Sequence, residues 1–152
     1  MIRPLVLYPD PALAFVSAPV EVFDAALADL VGDMFETMYA APGRGLAAVQ
    51  VGVLARVFIM DATWKAAEKT PMVFVNPEIF ERSARAVTQE EGCLSIPGMP
   101  RRVSRPAEVA LRWQGLDARQ HEGRFSGFEA ACIQHEFDHL EGRLILDHEE
   151  AE

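Results

Sequence analysis

The sequence predicts an α+β domain with mostly antiparallel sheet. One helical pattern comes first, several short β-rich runs follow, and a second helical pattern closes the chain, the segregated order of that class. At 152 residues, half of them hydrophobic, the chain matches one domain built on one sizeable core. No repeat, low-complexity stretch or linker divides it. Residues 1–147 therefore read as a single domain and 148–152 as an acidic, solvated tail.

The first helix begins at Asp24, an N-cap residue, and runs to about Ala41. Leu27, Leu30, Val31, Met34 and Met38 recur at helical spacing, and Pro42-Gly43 stops the pattern. This stripe reads as core packing. Strand patterns follow at 56–61, 72–76, 85–89 and 108–113, with a weaker one at 120–125. The last helix opens at Ser126-Gly127-Phe128-Glu129, which reads as a capping box with Ser126 as N-cap and Glu129 three positions into the helix. Ala130, Ala131, Ile133, Phe137 and Leu140 make this helix largely apolar, and Gly142 ends it.

Composition narrows the function classes. The net charge is −9, and the densest cations, Arg101, Arg102 and Arg105, fit a local anion contact better than a nucleic-acid surface. No apolar run reaches membrane-spanning length. The start, Met1-Ile2-Arg3-Pro4, is broken again at Pro9 and Pro11, unlike a secretory signal. With no export signal, the two cysteines, Cys93 and Cys132, read as free thiols or metal ligands rather than a disulfide, and a cytoplasmic location is expected.

The chemistry concentrates in His135-Glu136-Phe137-Asp138-His139. Imidazoles at i and i+4 share a helix face and can ligate one metal ion, while Glu136, off that face, suits proton transfer. Unpartnered imidazoles would be costly in so apolar a helix, and a metal would satisfy both. A catalytic site of this type needs a third ligand and an open fourth position. Cys93, in the turn-rich Glu90-Glu91-Gly92-Cys93-Leu94-Ser95-Ile96-Pro97-Gly98, is the preferred third ligand. Cys132, three residues before His135, is its rival, although its apolar neighbours favour packing or pocket lining. Asp138 reads equally as a solvated helix charge or a partner of a ligand. His121 and His148 read as ordinary surface residues. The loop Gly43-Arg44-Gly45-Leu46-Ala47-Ala48-Val49-Gln50 permits close backbone approach to a ligand, and Gln50 adds an amide donor. Taken alone, it is more simply a glycine turn leading into a strand, and it lacks the lysine and spacing of a phosphate loop.

Together, the Gly-x-Gly-Leu-Ala-Ala-x-Gln loop, the Glu-Gly-Cys-Leu-Ser turn and the Gln-His-Glu-x-Asp-His helix, in this order, resemble the peptide deformylase family. The resemblance runs from the N-terminal Leu7-Tyr8-Pro9-Asp10-Pro11 segment to about Asp147. It implies an α+β fold with the metal helix at its centre, and removal of the formyl group from N-formylmethionyl peptides of newly made proteins. It makes Cys93, His135 and His139 the metal ligands and Glu136 the catalytic base and acid. Gln50 and the backbone N–H of Leu94 would hold the formyl oxygen. Gly43, Arg44, Gly45, Gly92 and Cys132 would contact the substrate, with Gly45 offering backbone pairing to the peptide. The implied cofactor is one divalent ion, Fe(II) in cells, with Zn(II) or Ni(II) tolerated.

Against that family, the chain has three departures. Arg44 stands where an aliphatic residue is usual, which would alter peptide preference or favour an acidic partner. Pro100 stands where an arginine is common, and Arg101 follows it. The chain also ends about ten residues after Gly142. It therefore reads as a short, C-terminally truncated member without the long final helix linked to ribosome docking, so docking is not expected. Two other readings compete: a catalytically weak paralogue that binds peptide N-termini, and a related metallo-amidase or metallopeptidase.

Overall fold

The computed structural model describes residues 1–152. Helix α1 spans Ala25–Ala40, and Asp24 caps it, its carboxylate accepting from the Leu27 N–H at 3.1 Å. Strands β1 (Gly45–Ala47), β2 (Val57–Met60), β3 (Met72–Arg82), β6 (Glu108–Gln114) and β7 (Gln120–Ser126) form one five-stranded sheet in the order β1-β2-β3-β6-β7. Every pairing in it is antiparallel. β4 (Ala86–Cys93) and β5 (Ile96–Pro106) form a separate antiparallel hairpin. Helix α2, Gly127–Leu140, closes the order. The α+β class with antiparallel sheets is as the sequence predicts.

The two helices pack against opposite faces of the sheet, and the alternation of β2 shows how. Phe58 and Met60 point into a core shared with Ile133 and Leu140 of α2. Val57 and Ile59 point into a second core with Leu30, Val31, Met34 and Met38 of α1. All four β2 residues are buried, so this short strand is covered on both sides and reads as an unbroken apolar run. Helix α2 also contacts β1, β5, β6 and β7, which puts it at the centre of the molecule.

Three sequence expectations need correction. Residues 96–98, read as the end of the turn-rich 90–98 stretch, instead open an eleven-residue strand, Ile96–Pro106. Its prolines are tolerated because it belongs to a two-stranded hairpin in which β4 is its only strand partner. The capping box at Ser126 does not form, since the Ser126 side chain makes no cap hydrogen bond. Ser126 is instead the last residue of β7, paired with Glu108, and Gly127 turns the chain into the helix at φ +59°. Finally, residues 148–152 lie against β5. The Ala151 N–H donates to Arg102 O at 3.0 Å, Arg101 donates to His148 O, and Arg101 pairs with Glu150. The acidic end has found the arginines of β5.

At its other end α2 stops as the sequence predicts. Gly142, at φ +72°, donates to His139 O at 3.2 Å, and the Arg143 N–H reaches Asp138 O at 2.8 Å.

Candidate metal centre

Three elements converge on one point. Helix α2 presents His135 and His139 from one face, with ring centroids 5.1 Å apart. The hairpin brings Cys93, the last residue of β4, to the same place, since the chain must reverse at Leu94-Ser95 to pair Cys93 with Ile96. The donor atoms of Cys93, His135 and His139 lie within 4.8 Å of one another, and Cys93 Sγ is 3.4 Å from His139 Nε2.

His135 is oriented by a residue that sequence reasoning passed over. Its Nδ1 lies 3.0 Å from Oε1 of Glu91, leaving Nε2 for the cluster. Glu91 is held by Arg105, which donates from Nε at 2.6 Å and from Nη2 at 2.9 Å. Arg105 also donates from Nη1 to Asp138 at 3.0 Å. Burial alone would raise the Glu91 pKa, but His135 and Arg105 bring it down to about 2. Asp138 is therefore a partner in this network rather than a solvated helix charge. His148 is not a surface residue either: its Nε2 is 2.8 Å from Asp138, and its side chain is 14% exposed. The signal for Glu91 was present, because it stands two residues before Cys93 on one strand. Arg105 was read as fitting a local anion contact, but its partner was not legible, as only the fold brings it to Glu91.

Gln50 is fixed by two opposed contacts. Its Oε1 accepts from the Ala47 N–H at 2.9 Å, which turns Nε2 toward Ser95 Oγ at 3.0 Å and Cys93 Sγ at 3.7 Å. The amide donor is thus aimed at the cluster. Leu94 follows Cys93 in the turn, and its side chain packs so closely on Gly43 that a Cβ there would lie 2.6 Å from Leu94 Cδ1. Gly45 is tighter still in consequence: a Cβ would lie 2.6 Å from Glu136 Oε2 and 2.7 Å from Cys132 Sγ.

These residues line a cavity of about 420 Å³ that holds Gly43, Arg44, Gly45, Gln50, Gly92, Cys93, Leu94, Cys132, His135 and Glu136. His139 lies behind its wall, 1% exposed. Cys132 stands in the wall and outside the three-donor cluster. Burial first, and then the nearby Glu136 carboxylate, push its thiol well above the ordinary value, which disfavours the thiolate a metal requires.

The buried polar atoms fit a metal and a water. His139 turns Nε2 toward Cys93, where an ion could be held, and Glu136 Oε1 is buried beside it with no hydrogen-bond partner. Burial pushes Glu136 up to about 7, opposed by His135. Burial, first among the causes, holds His139 well below its ordinary value, in the neutral form that can ligate. One thiol and two imidazoles are a soft-to-borderline donor set suited to Fe(II), Zn(II) or Ni(II).

Comparison with known proteins identifies the family to which the fold belongs. Residues 2–152 match the family model described as polypeptide deformylase. A curated peptide deformylase of Phenylobacterium zucineum is 52% identical over 97% of this chain and 87% of its own length. That of Novosphingobium aromaticivorans is 46% identical over 97% and 88%. The crystal structure of peptide deformylase from Thermotoga maritima superposes with a TM-score of 0.94 at 36% identity, covering 99% of both chains. A Met-Ala-Ser-bound class I type b peptide deformylase from Acinetobacter baumannii gives 0.91 at 33% identity, over 98% and 99%. The Thermotoga maritima chain is matched almost end to end, whereas the two curated relatives extend beyond the match. From the shared fold and the match across nearly its whole length, the chain belongs to the polypeptide deformylase family.

Proposed function

We infer that this protein is a peptide deformylase, a metal-dependent hydrolase that removes the formyl group from N-formylmethionyl peptides of newly made proteins and releases formate. The observation that carries the reading is the convergence of Cys93, His135 and His139 beside a buried Glu136, in a chain that matches the family from residue 2 to residue 152. Cys93, His135 and His139 are the proposed ligands. Fe(II) is the proposed ion, with Zn(II) or Ni(II) as replacements. When bound, such an ion supplies Lewis acidity and makes water nucleophilic near neutral pH.

The roles of the chain's own groups follow from position. Glu136, with its unpartnered Oε1, accepts a proton from the attacking water and carries it to the amine nitrogen as the C–N bond breaks. Water and formamide thereby become formate and a free amine. Gln50 Nε2 and the Leu94 N–H would donate to the formyl oxygen as charge builds on it. The peptide would lie along β1, which ends the five-stranded sheet, with Gly45 leaving Glu136 and Cys132 the room they occupy. Gly43, Arg44 and Gly92 would line the remaining cleft. In support, a relative with the same fold is described as Met-Ala-Ser bound. Substrates of this kind are met in the bacterial cytoplasm, and no helix here is long and apolar enough to cross a membrane.

The test is formate release from formyl-Met peptides by protein purified anaerobically with Fe(II) or Ni(II), against acetyl-Met and unblocked peptides. Formate from the formylated set alone is the expected result. Cleavage of internal bonds would indicate a peptidase, and bound metal without turnover a peptide-binding paralogue.

A further inference from the structure

The mouth of the cavity carries a cation with no counter-charge. Arg44 is exposed on the rim, its guanidinium stacked 3.8 Å above the Phe128 ring centroid, and it forms no ion pair within the chain. Its backbone is held as well. Arg44 O accepts from the Asp61 N–H at 2.9 Å, and Gly43 O accepts from Trp64 Nε1 at 2.9 Å. Lys65, next to Trp64, lines the same cavity and is also unpaired. Among the lining carboxylates, Glu91 is committed to Arg105 and His135, and Glu136 faces Gly45 at the cavity floor. Glu90, on the hairpin wall, is the remaining one.

A peptide laid along β1 would cover the Arg44 guanidinium and strip its water. An unpaired charge loses free energy on such burial unless the incoming chain supplies the opposite charge, and a lysine there adds repulsion. We propose that Arg44 makes the enzyme select formylmethionyl peptides that carry an acidic side chain shortly after the methionine. This rests on the deformylase reading of the same site. Adjacent side chains of an added strand point to opposite faces, so the preference falls on either the second or the third residue and not on both.

Two matched series test it, formyl-Met-Xaa-Ala and formyl-Met-Ala-Xaa, with Xaa as Glu, Gln or Lys, read as kcat/KM at low and high salt. In one series Glu exceeds Lys by roughly three- to tenfold at low salt, Gln falls between, and salt narrows the gap. Arg44→Gln brings Glu and Lys within about a factor of two, and Arg44→Glu reverses their order. A native ratio near one in both series overturns the proposal, as does a ratio that survives Arg44→Glu. Formate release that is equal for all peptides removes this inference and leaves the deformylase reading standing. No formate from any formylated peptide, with metal bound, removes both.

Discussion

Helices α1 and α2 are of similar length, 16 and 14 residues, and both bury apolar side chains against the sheet, yet α2 buries a polar set besides. The buried positions of α1 are Leu27, Leu30, Val31, Met34 and Met38, with Thr37 the one polar member. Those of α2 include Gln134, His135, Glu136 and His139. Apolar burial explains α1 without further assumption. The same burial opposes α2, whose polar groups must find partners or lose stability. Gln134 does so by donating to Pro106 O and Ala130 O, and His135 through Glu91. His139 Nδ1 and one oxygen of Glu136 do not. The difference teaches that α1 serves the core alone, while α2 serves the core on one side and carries the candidate site on the other.

The sharpest way to break that contrast is Glu136→Ala. We expect metal content to be kept while kcat for formyl-Met peptides falls by roughly 10³-fold. Near-normal turnover would remove Glu136 from the mechanism. The reciprocal substitution on α1, Met34→Ala, should cost about 2–5 kcal/mol in urea unfolding, because a fully buried side chain leaves a cavity. Formate release per folded molecule should be unaltered; a large fall in kcat would mean that α1 also shapes the site.

Polar contacts at α1 have a smaller effect, and one that depends on pH. Burial would raise the Asp61 pKa, but a 2.6 Å hydrogen bond from Tyr39 of α1 and donors from Thr70 and Thr63 outweigh it and hold the carboxyl below its ordinary value. A lowered folded-state pKa contributes stability above the unfolded value, about 3.9, and loses it as pH falls through the folded one. Asp61→Asn should therefore be less stable than the native chain at pH 7, by about 1 kcal/mol. That difference should shrink in denaturation measured below about pH 4. A gap independent of pH would show that ionisation of Asp61 contributes nothing.

The smallest effects separate the two N-termini. Asp24→Ala should cost about 1 kcal/mol, since a cap hydrogen bond is lost, whereas Ser126→Ala should fall within about 0.5 kcal/mol of the native chain. Equal costs in thermal unfolding would contradict the cap geometry.

This contrast also marks what could be read before folding. Period and capping identify α1, and the spacing of His135 and His139 is local enough to announce a metal site. Cys93 was legible because a turn motif surrounds it. Ser126 was misread because sheet pairing with Glu108 competes with capping and wins. Strand β5 was missed because Pro97, Gly98 and Pro100 carry turn signals that a two-stranded hairpin tolerates. The network behind His135 was legible only in pieces: Glu91 stands beside Cys93 and Asp138 beside His139, but nothing local joins them to Arg105 or His148. Glu91, Arg105, Asp138 and His148 meet only through the hairpin register and the docked C-terminal end.

The central claim, that the buried polar face of α2 holds a metal together with the hairpin cysteine, is tested most directly by metal content after anaerobic purification. The native chain and Cys132→Ser are expected to hold one divalent ion per molecule. Cys93→Ser and His139→Ala, shown to be folded by circular dichroism, are expected to lose it. Metal kept by Cys93→Ser and lost by Cys132→Ser would contradict the account.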